Sequence, residues 1–497
     1  MKIAISKKLV NLKPYGCARA LANEGVLMDA NESPFGKFNR YPDPFSLEVR
    51  RALSEFLNSG VENIFVGNGS DEIIDLLIKA FCDYGDKVLI PKPTYGMYEV
   101  AAVINGAKTK FIELKSNFQL DLEGIFRTLN DGVKIIFLCS PNNPLGNCLN
   151  DKDILELCGR TKAIVVVDEA YIEFASKKSL VGAVGKYPNL VILRTLSKAW
   201  GAAGIRVGYA VASKELIEIL FRIKSPYNVS VLNQEAAIKI LKNPKNMMKN
   251  VKSILREKRR ITGILEKLGM AIFPSETNFI LFNVPKSVVI QNKLQENGVV
   301  VRDRSKEPGL KNALRITIGK RSENDFFLVE LEKCLKKVAF IDRDGVILFE
   351  PQDTFKIDSL MAYRILPGVV EGLKLLLMAG YNLVMVSNQN GIGTENFPTE
   401  DFLIPHEKMI TDLAKEGIKF EKIFVCPHMP DDKCKCRKPK IGLVKKYLEE
   451  NPINYGKSFM AVDRETDMEF AKNIGVKGYK ARCNADYLLK IAKKITR

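Results

Sequence analysis

Lys198 stands in RTLSKAWGAAGIRVGY, residues 194–209, after an apolar strand pattern and before a run of small residues. A surface lysine is the usual fate of such a residue, but the motifs around it point to a functional one. Upstream, VVVDEAY carries an apolar run into Asp168, a setting that does not welcome a charge unless the charge has a task. Before that come the polar turn SPNNPLG, with Asn143, and VGNGSDEIIDLL, where Gly69, Ser70 and Asp71 open a helix. The free amide groups of a helix start suit a phosphate. A second set of acids follows another apolar run: VAFIDRDGVI carries Asp342 and Asp344, two residues apart. Such a pair repels unless a cation lies between its members. YNLVMVSNQNG brings Ser387 and Asn388 to a strand end, CRKPK supplies Lys438, and FMAVDRETD ends on Asp463 with Asp467 four residues later. Between them, three of ten cysteines and one of two histidines fall within eleven positions: Cys426, His428, Cys434 and Cys436. Three thiolates and one imidazole form a closed tetrahedral set for Zn²⁺, with no vacant position for water, so this reads as a structural site.

Elements must bring these residues together. Short apolar runs such as KIIFLCS, AIVVVDEAY and LVILRTLSK alternate with longer amphipathic stretches such as SLEVRRALSEFLNSG. That alternation predicts an α/β fold of parallel sheets covered by helices. Ligands then bind at the carboxyl ends of the strands. The amphipathic ENDFFLVELEKCLKK runs into the new buried strand VAFIDRDGV without a Gly/Ser spacer. The reading is two domains, residues 1–336 and 337–497, in fairly fixed relation. His406, in FLIPHEKMI, has no cysteine company and is expected at a helix start.

Composition narrows the function. A chain of 497 residues exceeds one hydrophobic core. The first residues form no signal peptide, and no run of apolar residues is long enough for a membrane span. Scattered cysteines suit a reducing cytoplasm. The net charge of +18 is spread along the chain without a nucleic-acid motif, so it reads as a lysine-rich surface that attracts anionic metabolites. Both histidines lie beyond residue 400, which excludes a Ser-His-Asp or Cys-His mechanism from the preceding residues.

The ordered set GSDE, PTYGMY, SPNNP, DEAY, SK and Arg206 resembles the fold type I aminotransferases, which use pyridoxal phosphate. The resemblance implies that Lys198 is the Schiff-base lysine and Asp168 the partner of the pyridinium nitrogen. Asn143 and Tyr171 would bond the ring hydroxyl, and Tyr95 would stack on the ring. Ser70, Asp71, Thr195, Ser197 and Arg206 would surround the phosphate. NLKPYGCAR, LMDANESPFG, NRYPDP, SETNFILF and VVRDRSKEPGLKNALRITIG resemble, in order, the histidinol-phosphate aminotransferase subfamily. By that resemblance Arg302 and Arg315 take anionic substrate groups, Tyr15 lines the substrate pocket, and Tyr41 reaches the cofactor phosphate of a neighbouring subunit in a homodimer. Leu145 departs from the threonine of many relatives and is read as not touching the reaction. An aromatic aminotransferase or a threonine-phosphate decarboxylase is the near alternative.

The acids after residue 337 resemble the haloacid dehalogenase-type phosphatases, whose domain is Rossmann-like. The resemblance implies that Asp342 attacks phosphorus and that Asp344 acts first as acid and then as base. Mg²⁺ would be held by Asp342, Asp463 and the backbone carbonyl of Asp344, with Ser387, Asn388 and Lys438 on the phosphoryl oxygens. The zinc loop and SNQNGIGTENFPTEDFLIPHEKM are closest to the histidinol-phosphate branch, with the heptose-bisphosphate branch or an inactive zinc-stapled module as alternatives. Val462, where relatives usually carry glycine, is expected to slow the reaction. The two resemblances imply successive reactions. Imidazole-acetol phosphate and glutamate give histidinol phosphate, which is hydrolysed to histidinol and phosphate.

Overall fold

The structure is a computed structural model that describes residues 4–13, 15–20, 25–129 and 131–496. Two compact units make it up. The first comprises residues 1–260, 273–282 and 304–321; the second comprises 261–272, 283–303 and 322–497. Compactness therefore does not part the chain at residue 336. Within the second unit, Gly269 lies against the Tyr455 ring. Glu332 pairs with Lys457 at 2.5 Å and accepts a bond from Asn454 at 3.2 Å. These contacts tie segments that precede residue 336 to the elements that follow it.

In the first unit, seven strands form one sheet: β1 (Ile64–Gly67), β2 (Lys87–Lys92), β3 (Lys108–Glu113), β4 (Val133–Cys139), β5 (Ile164–Asp168), β6 (Leu190–Thr195) and β7 (Gly208–Val211). Their order is β1-β7-β6-β5-β4-β2-β3. All pairings are parallel except those of β7, which runs antiparallel to β1 and β6. The central strands β4 and β5 are apolar on both faces. Ile136, Leu138, Val165, Val167 and Ile192 enter one core, while Ile135, Phe137, Ile164, Val166 and Val191 enter the other. A strand buried on both sides reads as a continuous apolar run, which is why these segments carry no polar alternation. Four more strands follow, β8 (Ala271–Ile272), β9 (Phe279–Asn283), β10 (Arg302–Asp303) and β11 (Ala313–Thr317).

In the second unit, β12 (Lys337–Ile341), β13 (Tyr381–Asn388), β14 (Lys422–Cys426), β15 (Phe459–Val462) and β16 (Lys477–Lys480) form a parallel sheet of order β14-β13-β12-β15-β16. Alternate residues again feed two cores, Ala339 and Ile341 on one face, Val338 and Phe340 on the other. In both sheets the chemistry-bearing residues sit at or just past carboxyl strand ends. Asp168 and Thr195 end β5 and β6, Asp342 follows β12, Asn388 and Cys426 end β13 and β14, and Asp463 follows β15.

His406 is not at a helix start. It lies in the middle of the helix Thr399–Lys415, directly after the buried Pro405. The start is marked by Pro398 and by Glu400 and Asp401 in the first turn, and Pro405 is an internal proline that forgoes one backbone bond. Among the described residues no helix is long and apolar enough to cross a membrane.

Val462 is wholly buried and packs with Val338, Phe340 and Val386 on the face opposite Ala461. Its side chain fills core. Replacing it with glycine removes that packing and loosens the strand, so Val462→Gly should cost about 3 kcal/mol. Denaturant unfolding followed through the second unit should report an earlier transition. A variant as stable as the parent would mean that the side chain contributes no packing.

Candidate active sites

One cavity opens at the carboxyl edge of β4, β5 and β6. Ser70, Asp71, Tyr95, Asn143, Asp168, Tyr171, Thr195, Ser197, Lys198 and Arg206 line it, so ten residues singled out along the sequence meet there. Gly69 caps the helix Ser70–Phe81 at a φ of 83°, and a Cβ at that position would stand 2.5 Å from Arg206 Nη2. Only glycine admits the guanidinium there. Arg206 Nη1 donates to Ser197 Oγ at 3.4 Å, and Thr195 and Ser197 are bonded at 3.0 Å. The Asp71 carboxylate is taken by Arg206 at 3.4 Å and by Tyr95 Oη at 3.1 Å. What Asp71 offers an anion is thus its backbone amide in the first helical turn.

Asp168 is almost fully buried, and both its oxygens are occupied. Tyr98 Oη donates to Oδ2 at 2.6 Å, and the Ala170 amide donates to Oδ1 at 3.0 Å. Burial pushes the Asp168 pKa up, and these two donors oppose it. Tyr98 is the residue the sequence reading missed. It lies in the quoted PTYGMY, but only the fold reveals that it passes under Tyr95, stacks on Phe137 at 4.8 Å and reaches Asp168. Burial, then the charge of Arg315, lowers the Lys198 pKa and makes its amine a better nucleophile. Lys198 Nζ lies 5.6 Å from the centre of the Tyr171 ring. A buried acid on the floor, a free amine on the wall and a helix start beside an arginine fit an aromatic phosphate ester bearing a ring nitrogen and an aldehyde.

Other residues are placed differently. Arg315 bonds Asn143 Oδ1 and lies 5.2 Å from the centre of the Phe279 ring. Tyr15 is exposed, and Tyr41 stacks on Tyr227 at 4.3 Å; neither lines the cavity with Lys198. Arg302 is exposed on β10 of the second unit. Leu145 is buried against Leu281, Leu310 and Ala313 and makes core.

The second cavity lies at the carboxyl edge of β12 and β13 and is lined by Asp342, Asp344, Ser387, Asn388, Lys438 and Asp467, among others. Lys438 Nζ lies 2.9 Å from both Asp342 Oδ2 and Asp467 Oδ1 and donates to the Val386 carbonyl at 2.9 Å. Burial works against this ammonium, but the two carboxylates outweigh it and hold its pKa above the usual lysine value. Asp342, Asp463 and Asp467 present oxygens within 4.8 Å of one another. Burial, then the charge of Asp342, pushes Asp463 up to about 6. Asp463 Oδ1 is buried without a partner. Crowded buried carboxylates with an unbonded oxygen fit a hard divalent cation. Gly345 must be glycine, because a Cβ there would crowd Asp463 and stand 2.8 Å from Cys483 Sγ.

Asn388 is turned to the backbone of Lys438, accepting from its amide at 3.0 Å and donating to its carbonyl at 3.3 Å. It steers the lysine as well as lining the cavity. Two residues the sequence reading passed over, Arg343 and Gln389, bond the two oxygens of Asp344 at 3.0 and 2.6 Å. Burial raises the Asp344 pKa against both donors. Arg343 lies 4.9 Å from the centre of the Phe402 ring, which stacks at 5.0 Å on His406.

Cys426, His428, Cys434 and Cys436 come together as the spacing required. Cys426 Sγ is 3.8 Å from Cys434 Sγ and 3.3 Å from Cys436 Sγ, and His428 Nδ1 is 3.5 and 3.2 Å from Cys426 and Cys436. A zinc–thiolate tetrahedron has edges of about 3.8 Å, so the donor set and its spacing fit Zn²⁺.

Comparison with known proteins matches two parts of the chain to two different families. The family model described as aminotransferase class I and II matches residues 16–331. The chain belongs to the class I and II aminotransferases. This aminotransferase is 44% identical over 334 residues to a histidinol-phosphate aminotransferase of Parabacteroides distasonis, covering 66% of this chain and 97% of that protein. Among solved structures, a histidinol-phosphate aminotransferase from Clostridium acetobutylicum superposes with a TM-score of 0.56 at 28% identity, covering 60% of this chain and 90% of that one. A histidinol-phosphate aminotransferase from Sinorhizobium meliloti, in complex with pyridoxal-5'-phosphate, shares the fold with a TM-score of 0.57 at 24% identity, over 61% of this chain and 89% of that one. A second family model, polynucleotide kinase 3 phosphatase, matches residues 337–481.

Burial, then the charge of Arg343, pushes His406 down to about 4 from 6.5. An unfolded chain binds this proton near pH 6.5 and the folded chain only near 4. Stability is therefore intact above that window and falls as pH drops through it. Denaturation midpoints followed from about pH 7 down to about pH 5 should fall more steeply for the parent than for His406→Phe. Parallel curves would contradict the buried neutral imidazole.

Proposed function

We propose that this chain carries out two successive reactions of histidine biosynthesis in the cytoplasm. The aminotransferase module, residues 1–336, transfers the amino group of glutamate to imidazole-acetol phosphate and forms histidinol phosphate. The second module, residues 337–497, is a haloacid dehalogenase-type phosphatase that hydrolyses histidinol phosphate to histidinol and inorganic phosphate. The observation that carries the pairing is the Asp342–Lys438–Asp467 constellation beside the unpaired Asp463 oxygen, in a chain whose other part is 44% identical to a histidinol-phosphate aminotransferase. The family matches, ending at residue 331 and resuming at 337, support the division.

In the first module, pyridoxal phosphate supplies an aldehyde and an electron-withdrawing ring that stabilises negative charge at the substrate's α-carbon. Asp168, which accepts bonds from Tyr98 and the Ala170 amide, would face the ring nitrogen and favour its protonated form. Lys198 would hold the aldehyde and would be the group that moves the substrate's α-proton. Arg206, Ser197, Thr195 and the amides of Ser70 and Asp71 bind the phosphate. Arg315 and Arg302 receive the anionic groups of both substrates, as guanidinium forks suit carboxylate and phosphate alike. Tyr15 completes the substrate pocket, and Tyr41 serves the neighbouring subunit of a homodimer.

In the second module, Asp342 attacks phosphorus. The Asp342 O–P bond forms, the P–O bond to the alcohol breaks, and Asp344 gives its proton to the departing oxygen. Water then attacks the aspartyl phosphate. Asp344 takes a proton from that water, the Asp342 O–P bond breaks, and inorganic phosphate leaves. Asp342, Asp463 and the Asp344 carbonyl would hold Mg²⁺, which screens the nucleophile from the phosphate. Ser387, Asn388 and Lys438 take the phosphoryl oxygens, and Zn²⁺ on Cys426, His428, Cys434 and Cys436 would fix the loop that carries Lys438. A polynucleotide 3'-phosphate is the second reading, favoured by the description of the matching family.

The modules should fail independently. Lys198→Ala should lose the yellow colour of the bound cofactor and all transamination while phosphate release continues. Asp342→Asn should keep the colour and the transamination and lose phosphate release by about a thousandfold or more. Retained transamination or retained hydrolysis, respectively, would refute the assigned residue. Histidinol phosphate, a heptose bisphosphate and an oligonucleotide 3'-phosphate, assayed side by side, separate the phosphatase readings.

A further inference from the structure

Asp344 has two tasks in the proposed hydrolysis, and both need its carboxyl at one place. It must meet the departing oxygen when the ester breaks, and later a water on the same side. Position matters as much as acidity here, since proton transfer requires hydrogen-bond reach.

Each Asp344 oxygen has its own donor, and the two donors are unlike. Oδ1 receives Arg343 Nη1 at 3.0 Å. Arg343 is wholly buried under Phe402, so this oxygen is turned to the protein interior. Oδ2 receives Gln389 Nε2 at 2.6 Å, and Gln389 lines the same cavity as Asp342 and Asp344. Oδ2 is therefore the oxygen on the reacting side. An amide NH₂ only donates and carries no charge. It can orient the oxygen but can neither take up the proton nor neutralise the acid.

Gln389 is itself fixed. Its Nε2 also donates to Ser387 Oγ at 2.8 Å, and its backbone amide donates to the Cys426 carbonyl at 2.8 Å. Cys426 belongs to the four-residue cysteine–histidine cluster. Backbone and side chain of one residue thus connect the cluster to the acid.

We propose that Gln389 is the positioning residue of the phosphatase, holding the reactive oxygen of Asp344 on the line of the departing alcohol. The inference rests on the phosphatase reading above and adds to it the residue that orients the acid.

The test compares two esters on Gln389→Met, which keeps the chain length and removes the amide. An alkyl phosphate such as histidinol phosphate needs a proton on its departing oxygen. p-Nitrophenyl phosphate releases a stable anion and does not. kcat/KM covers only steps up to ester cleavage, so it isolates the acid's task from the later attack of water. The expected result is a fall of about 30- to 100-fold in kcat/KM for the alkyl ester and less than about threefold for the aryl ester. Bound zinc and the unfolding midpoint should be unchanged. Equal losses on both esters, or no loss on either, would overturn the inference while leaving the phosphatase reading in place. A parent protein that hydrolyses neither ester would overturn the reading and the inference together.

Discussion

Asp168 and Asp342 stand at the carboxyl ends of strands covered on both faces, where a bare carboxylate is costly to keep ionised. Each is bonded by specific buried partners. Tyr98 and the Ala170 amide hold Asp168; Lys438 holds Asp342 and is held in turn by Asp467 and the Val386 carbonyl. The energetic demand is the same at both sites, but the solutions differ. Asp168 is bonded by neutral donors only, whereas Asp342 has the Lys438 ammonium beside it. Tyr98 and Lys438 are both buried, so neither is a replaceable surface contact.

That demand organises the loops. Lys438 can reach Asp342 only if the segment after Cys436 is pinned, and two devices pin it. The cysteine–histidine cluster gathers the loop itself, and Asn388 grips the Lys438 backbone from the end of β13. Gln389, next along the chain, ties the same loop to Asp344. One short stretch, Ser387 to Gln389, therefore sets Lys438 and Asp344 in a common frame.

The sequence disclosed what depends on strand ends and on ligand spacing. Apolar runs that stop on a polar residue marked Asp168, Thr195, Ser387 and Asp463, and the C-x-H-x₅-C-x-C spacing brought its four ligands into contact. What stayed hidden depends on which way a side chain turns once the elements pack. Tyr98 is an ordinary-looking tyrosine three residues past Tyr95 until the packing points it at Asp168. Arg343, a charged residue at a strand end, gives no sign in the sequence that it is wholly buried. His406 is expected at a helix start from the sequence, whereas it lies in mid-helix, directly after a proline that the helix retains. The apparent boundary at residue 336 reflects where the motifs change. The compact units part elsewhere, since Glu332 and Gly269 pack with residues 454–457.

The central claim is that one polypeptide aminates a keto phosphate ester by transamination and then hydrolyses the amino phosphate ester it has made. The direct measurement is inorganic phosphate released by the purified, cofactor-loaded chain given imidazole-acetol phosphate, with and without glutamate. Phosphate should appear only when glutamate is present, after a lag, and histidinol should accumulate with it in equal amount. Phosphate released without glutamate, or 2-oxoglutarate formed with no phosphate at all, would contradict the sequence of two steps.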